Sequence, residues 1–430
     1  MLKSYLHSIS ELAQRGDARE ESHYPALKTL LEALAQAQGY AVQVTVLPKS
    51  TEAGNPDFRV WDGSHQVIGY LELPPCGSAQ IKKYQLPGDK MTTKSPTLEQ
   101  WQQLYQLMIE IKQLSPWQWM YEVEIFGIQS SPDQEPNFIS IMGSRGEHFA
   151  ISVYLGLKGL GLFWKMEKAG PRLTQELLLQ VPQLQASFED RNILTDKDRQ
   201  VINRLGLKFR GANAWPQFRS FRPAFFPWYI ENWEAEILIH ALEQTLVIAP
   251  RFRQNPVIFH QIKEDKYLVR VKQGDTWQDS IQHIPSWTEG PFQVNINENT
   301  LARLKDAMPG EAVFEVDLLM LDTIIKDKLS DRPFFPFVLM LAEQKSGFIT
   351  TSDLLIPLPS LETMRENIPS VLAMILADSI PPKELYVKDE LLFHLLQPLA
   401  QEVGLTLKKV SRLRYLDPAQ KELKRALSNS

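Results

Sequence analysis

Runs in which apolar and polar residues alternate, separated by stretches with apolar residues every three or four positions, constrain this chain most. A strand repeats its facing every two residues and a helix every 3.6, so the chain must interleave both elements. YAVQVTVLP is alternating and β-branched, which predicts a strand. PDFRVWD and QVIGYLEL predict two more, joined by the turn residues Asp62-Gly63-Ser64 in a hairpin. Residues 2–15 and 21–38 read as helices. The second repeats Leu27, Leu30, Leu31 and Leu34 and has Gly39 where a C-cap falls. AQIKKYQL reads as a short helix, so the N-terminal order is α-α-β-β-β-α.

PGDKMTTKSPT (87–97) reads as a linker. A helix is expected over 98–113, strands at FISIMG and HFAISVYLGL, and a helix near 195–204 opened by Thr195-Asp196. A Pro- and aromatic-rich stretch, WPQFRSFRPAFFPWYIENWE, leads into a helix at about 231–248, and VIFHQI and KYLVRV read as a strand pair. From residue 311, AVFEVDLLML, FPFVLMLA and SGFITTSDLLI predict strands. They are followed by a helix near 361–377, the strand ELYVKD, a helix near 389–403, the strand LTLKKV and a final helix. The expected class is α/β (α+β) and multidomain, since 430 residues exceed one typical core. The expected divisions are 1–86, the linker 87–97, an α+β domain over 98–250, a β-rich connection over 251–310 and an α/β domain over 311–430.

A net charge of −5 excludes a globally basic coat for nucleic acid and leaves room for a local basic patch. The single cysteine, Cys76, permits neither an internal disulfide nor a Cys-based zinc site within one chain, which fits a reducing compartment. No apolar run reaches 18 residues, and Ser, His and Glu interrupt the N-terminal MLKSYLHSISELAQ. The expectation is therefore a cytoplasmic protein without a membrane partner. Phosphate-loop, HExxH, GxSxG and dinucleotide motifs are missing from the sequence.

Three N-terminal features go together: the acid-headed REESHYPALKTLLEAL, Pro56-Asp57-Phe58-Arg59-Val60, and Ile68-Gly69-Tyr70-Leu71-Glu72. Across about residues 8–86 they resemble the core of PD-(D/E)xK nucleases, especially the N-terminal domains of some bacterial restriction enzymes. The resemblance implies Glu20, Asp57 and Glu72 as the acids, with Asp57 and Glu72 holding Mg²⁺ through oxygen ligands. The ion would activate water and stabilise charge on the phosphate. The family usually carries a lysine two residues after the second acid. Here that residue is Pro74, followed by Pro75. Lys82 or Lys83 is the candidate replacement, and the segment after Glu72 is shortened, so the region reads as a degenerate, truncated nuclease-like fragment.

SPWQWMYEVEIFGI, FISIMGSRGEHFAISVYLG and WPQFRSFRPAFFPWYIENWEAEIL resemble uncharacterised bacterial domains, over roughly 97–430. Gly146-Glu147-His148 reads as a metal or acid/base pair, or as a turn acid and a packed histidine, which the divergence of adjacent strand positions favours. Residues 210–233 combine Arg210, Arg219 and Arg222 with Trp215, Phe221, Phe225, Trp228 and Tyr229. That set suits single-stranded nucleic acid, or a loop pinned to a core by aromatics, which Pro216, Pro223 and Pro227 favour. Residues 333–413 resemble an RNase H-like order of strand hairpin, helix, strand and helix. Active members usually have an Asp ending the first strand, whereas this reading finds Leu341-Ala342-Glu343 there. Asp389 is a second acid, and His394 lies four residues beyond Glu390. The last stretch, LKKVSRLRYLDPAQKELKRALSNS, carries seven Lys/Arg against two acids and reads as a solvated helix face. The leading expectation is a non-catalytic protein that binds DNA, RNA or a protein partner. The alternatives are a Mg²⁺-dependent nuclease using Lys82 or Lys83, and a structural or regulatory interaction module.

Overall fold

The computed structural model describes residues 28, 42–46, 58–62, 67–71, 95–257, 265–289, 296–308, 310–326, 330, 332–378 and 380–428. The chain divides into two compact units, Met1–Lys90 with Ala419–Ser430, and Met91–Pro418. In the first, β1 (Val42–Val46), β2 (Phe58–Asp62) and β3 (Val67–Leu71) form an antiparallel meander, with Val44 opposite Val60 and Phe58 opposite Leu71. The three runs read as strands are strands. The helices expected at 2–15, 21–38 and AQIKKYQL lie outside the described residues, Lys28 excepted.

The second unit holds two mixed sheets. The first sheet is built from β4 (Phe126–Gln129), β5 (Asn137–Met142), β6 (Phe149–Tyr154), β7 (Gln183–Glu189), β8 (Trp215–Phe221), β9 (Lys266–Gln273) and β10 (Thr276–His283). Their order is β10-β9-β4-β5-β6-β7-β8, antiparallel except where β4 meets β9. Both faces are covered, so successive residues of β5 are buried to opposite sides. Ile139 and Ile141 join a core with α1 (Leu98–Leu114) and the later helix of residues 232–254. Phe138 joins Tyr154, Leu160 and Phe163 beneath α2 (Gly156–Ala169).

Local chemistry sets these elements. Thr97 and Gln100 form a reciprocal capping box at the start of α1, and Leu104, Tyr105, Met108 and Ile111 follow at helical spacing on its buried face. The expected strand HFAISVYLGL ends at Tyr154, and its last residues enter α2 instead. Gly159 lets that helix approach closely: a Cβ there would lie 2.8 Å from the Tyr154 carbonyl carbon. KYLVRV is β9, which has β10 on one edge and β4 on the other; its expected partner VIFHQI lies outside the described residues, Val257 excepted. The first seven residues of the Pro-rich stretch expected as a loop are β8, an edge strand that tolerates Pro216.

α3 (Asp196–Arg204), α4 (Asn232–Gln254) and α5 (Glu298–Asp306) precede the second sheet. Its elements are β11 (Val313–Met320), β12 (Phe337–Glu343), β13 (Ile349–Leu355), α6 (Leu361–Ala377), β14 (Glu384–Val387), α7 (Glu390–Val403), β15 (Thr406–Lys409) and the first three residues of α8 (Leu416–Ser428). The strand order is β13-β12-β11-β14-β15. β11 is central, antiparallel to β12 and parallel to β14. α5, α6 and α7 bury Leu304, Ile368, Leu372 and Leu396 against Val316, Leu339 and Leu385. Among the described residues no helix is long and apolar enough to cross a membrane.

A buried polar network ties the two sheets together. Arg332 donates through Nη1 to Ser220 O and Oγ, each at 3.2 Å. Ser220 donates to Glu234 at 2.7 Å, and Arg222 bridges Glu231 and Glu234. Burial and the nearby Arg222 charge push the Arg332 pKa down to about 10, against the pull of Glu234 and Glu231. Around this network Phe225 packs edge-on to Phe334, and Ala224 and Phe335 share a backbone hydrogen bond. Removing Arg332 takes a buried donor from Ser220, while Arg222 keeps both glutamates paired. Arg332→Met is therefore expected to cost about 1–3 kcal/mol of unfolding free energy in a urea titration. A loss below about 1 kcal/mol would show that the network does not hold the sheets.

Candidate functional site

The acids chosen from the nuclease resemblance, Glu20, Asp57 and Glu72, lie outside the described residues, as do Lys82, Lys83 and Pro74. Their described neighbours are Phe58 and Leu71, which pair directly across β2 and β3.

In the C-terminal sheet the first strand is β11, so Leu341-Ala342-Glu343 does not end the first strand. Glu343 ends β12, the second strand. β11 reads Val-Phe-Glu-Val-Asp and carries two buried acids, Glu315 and Asp317, two residues apart and hence on the face opposite Val316. The Glu315 carboxylate accepts from the backbone N–H groups of Arg414, Tyr415 and Leu416 at 2.8–3.0 Å and from Gln344. It thereby fixes the start of α8, whose free N–H groups favour an anion.

Asp317 sits at the other end of this acid stripe. Parallel pairing of β11 with β14 brings Lys388, one residue past β14, beside it. Lys388 Nζ lies 3.9 Å from Asp317 Oδ2 and contacts Asp417 Oδ1 in the first turn of α8. Desolvation works against the ammonium, but Asp417, Asp317 and Asp389 outweigh it and hold the Lys388 pKa above its ordinary value. The acids have further partners. Asp389 caps α7 by accepting from Leu392 N at 2.8 Å, Asp417 accepts from Leu413 N, and Asp317 accepts from Leu318 N. Among the described residues no three His, Cys, Asp or Glu side chains are grouped to hold a metal ion. His394 bridges to Glu390 at 3.1 Å on an exposed helix face, away from this stripe.

The sequence reading passed over a second cluster. His240, on α4, accepts or donates at 3.0 Å to Ser130 through Nδ1 and lies 3.2 Å from Lys272 through Nε2. An ammonium has only protons to offer, so Nε2 accepts and Nδ1–H points to the Ser130 oxygen. That tautomer cannot take the Ser130 proton, and the cluster does not activate a nucleophile. No local motif signals it, since its members come from three separated segments. Glu147 and His148 do not act together either: His148 faces Glu189 at 3.8 Å. In 210–233, Arg219 grips Asp198 with both guanidinium nitrogens at 2.9 and 2.6 Å, and Phe218 and Phe225 are buried, so these residues pin the strand. In the C-terminal basic stretch, Lys408 pairs with Glu384, Lys409 with Glu390 and Arg425 with Glu422.

Residues 101–270 match the model of a domain of unknown function (DUF7309), and residues 300–424 match that of a second domain of unknown function (DUF6930). These spans cover most of the two sheets of the second unit. No curated protein matches the chain. The matches agree with the resemblance of 97–430 to uncharacterised domains. They begin at residue 101 and lend no support to a nuclease-like core over 8–86.

Two outcomes follow. Burial, then the Lys272 charge, lowers the His240 pKa, against Glu236. The folded chain therefore holds this histidine neutral where the unfolded chain takes up a proton. Its share of stability is present above about pH 6.5 and is lost as pH falls toward the lower folded value. Denaturation midpoints measured from pH 7.5 to 5 should fall, and His240→Gln should flatten that slope. Lys388→Met should cost about 1 kcal/mol at neutral pH, a modest figure because the lysine is partly exposed.

Proposed function

We propose that this chain is a binding protein whose C-terminal domain is RNase H-like in fold but closed to catalysis, and that it engages nucleic acid without cutting it. The order strand meander, helix, strand, helix, strand, helix, with the first strand central, supports the RNase H-like reading. The observation that carries the non-catalytic reading is Lys388. Its ammonium lies against Asp317 on the first strand and Asp417 on the last helix, beside Asp389, where a divalent cation would need those same oxygens.

A second reading keeps cleavage in the N-terminal unit, with Asp57, Glu72 and Mg²⁺ and with Lys82 or Lys83 in place of the motif lysine. The observation in its favour is the Phe58–Leu71 pairing, whose chain neighbours are Asp57 and Glu72. Plasmid and single-stranded DNA and RNA, incubated with the full chain and Mg²⁺ or Mn²⁺, separate the two. The first reading expects no cleavage, and a mobility shift that weakens with added salt as phosphate contacts are screened. Cleavage abolished by Asp57→Ala favours the second reading, and cleavage abolished by Asp317→Asn rejects closure by Lys388. No shift at low salt rejects nucleic acid as the partner.

A further inference from the structure

A cavity of about 290 Å³ lies between the first half of α1, one face of α3 and the Tyr229–Ile230 approach to α4. It is at the small end of ligand pockets, the size for one compact molecule. Three aromatic side chains, Trp101, Tyr105 and Tyr229, line it. Lys197 and Arg204 also line it. They stand seven residues apart on α3, so two helical turns place them on the same face about 10 Å from each other. Neither makes an ion pair among the described residues, and Lys197 Nζ lies 4.1 Å from the centre of the Tyr229 ring.

The acid in the wall does not cancel these cations. Both oxygens of Asp198 are held by Arg219, and one also accepts from Thr195 N and Oγ1. The cavity therefore presents Lys197, which rests on the Tyr229 ring, and Arg204, whose charge also acts on the exposed Glu99 carboxylate, beside aromatic surface. Tyr105 adds a donor. Its ring is 2% exposed and its side chain lines the cavity. Burial, then the Asp198 charge, raises the phenol pKa, so the proton stays on the oxygen at neutral pH.

A ligand that answers all three features is planar, anionic and carries a hydrogen-bond acceptor. Bases stack on aromatic side chains, and phosphate groups meet Lys and Arg. We propose that this cavity binds one nucleotide unit, its base against Trp101 and its phosphate between Lys197 and Arg204. The site belongs to the seven-stranded sheet and stands independently of the acid cluster and its reading. The same chemistry is offered by a free nucleotide and by the phosphorylated end of a single strand.

The test titrates the full chain with adenosine and uridine 5′-monophosphates, and with a 5′-phosphorylated single-stranded oligonucleotide, by tryptophan fluorescence and calorimetry. Saturable binding is expected, weakened about tenfold by Arg204→Ser or Lys197→Ser and several-fold by Tyr105→Phe. The first two residues are exposed, so their variants should melt at the parent temperature. Tighter binding of the mononucleotide identifies the free nucleotide as the ligand, and tighter binding of the oligonucleotide identifies the strand end. Absence of binding by either, inorganic phosphate binding as well as the nucleotide, or affinity unchanged in both Ser variants overturns the proposal.

Discussion

The guanidinium of Arg332 is the contact on which the second unit most depends. It comes from the segment between β11 and β12 and reaches Ser220 on the edge strand of the other sheet. Ser220, Arg222, Glu231 and Glu234 are then arranged around it, so two sheets matching different domains share one buried set of charges. Such a set is costly to desolvate and rewards only good geometry. Here Arg222 pairs with both glutamates, Arg332 donates to Ser220, and the β8 backbone is fixed by the same bonds.

The C-terminal sheet shows how buried acids can organise structure without a metal ion. Glu315 and Asp317 lie on one face of its central strand, the other face being packed by α5, α6 and α7. Glu315 answers three backbone donors at the start of α8, and Asp317 faces Lys388. An acid stripe that would repel itself in an apolar interior is thus held by hydrogen bonds and one lysine.

Much of the fold was legible in local pattern. β5, β6, β11, β12, β14 and α7 fall where alternation or helical spacing puts them, and Thr97 and Thr195 cap their helices as such residues do. α2 was missed because Gly156, Gly159 and Gly161 break its helical signal, and those glycines answer close approach to neighbours rather than propensity. β10, nearly all polar, carries little apolar alternation and is a strand because β9 offers it an edge. The acid cluster was half visible: Asp389 was named, whereas Asp317 was passed over because the strand hairpin was begun at β12.

The sequence by itself determined the alternation of helices and strands, the mixed α/β class and the type of residue available for chemistry. Those properties depend on neighbours a few positions away along the chain. Tertiary structure decided which of the charges are free. Arg219 and Arg222, which resemble nucleic-acid contacts in sequence, are consumed by Asp198, Glu231 and Glu234. Lys197 and Arg204, unremarkable in sequence, are brought by α3 to the mouth of an aromatic cavity. Ion pairing is settled between residues distant in the chain, by distances and burial that no local pattern records.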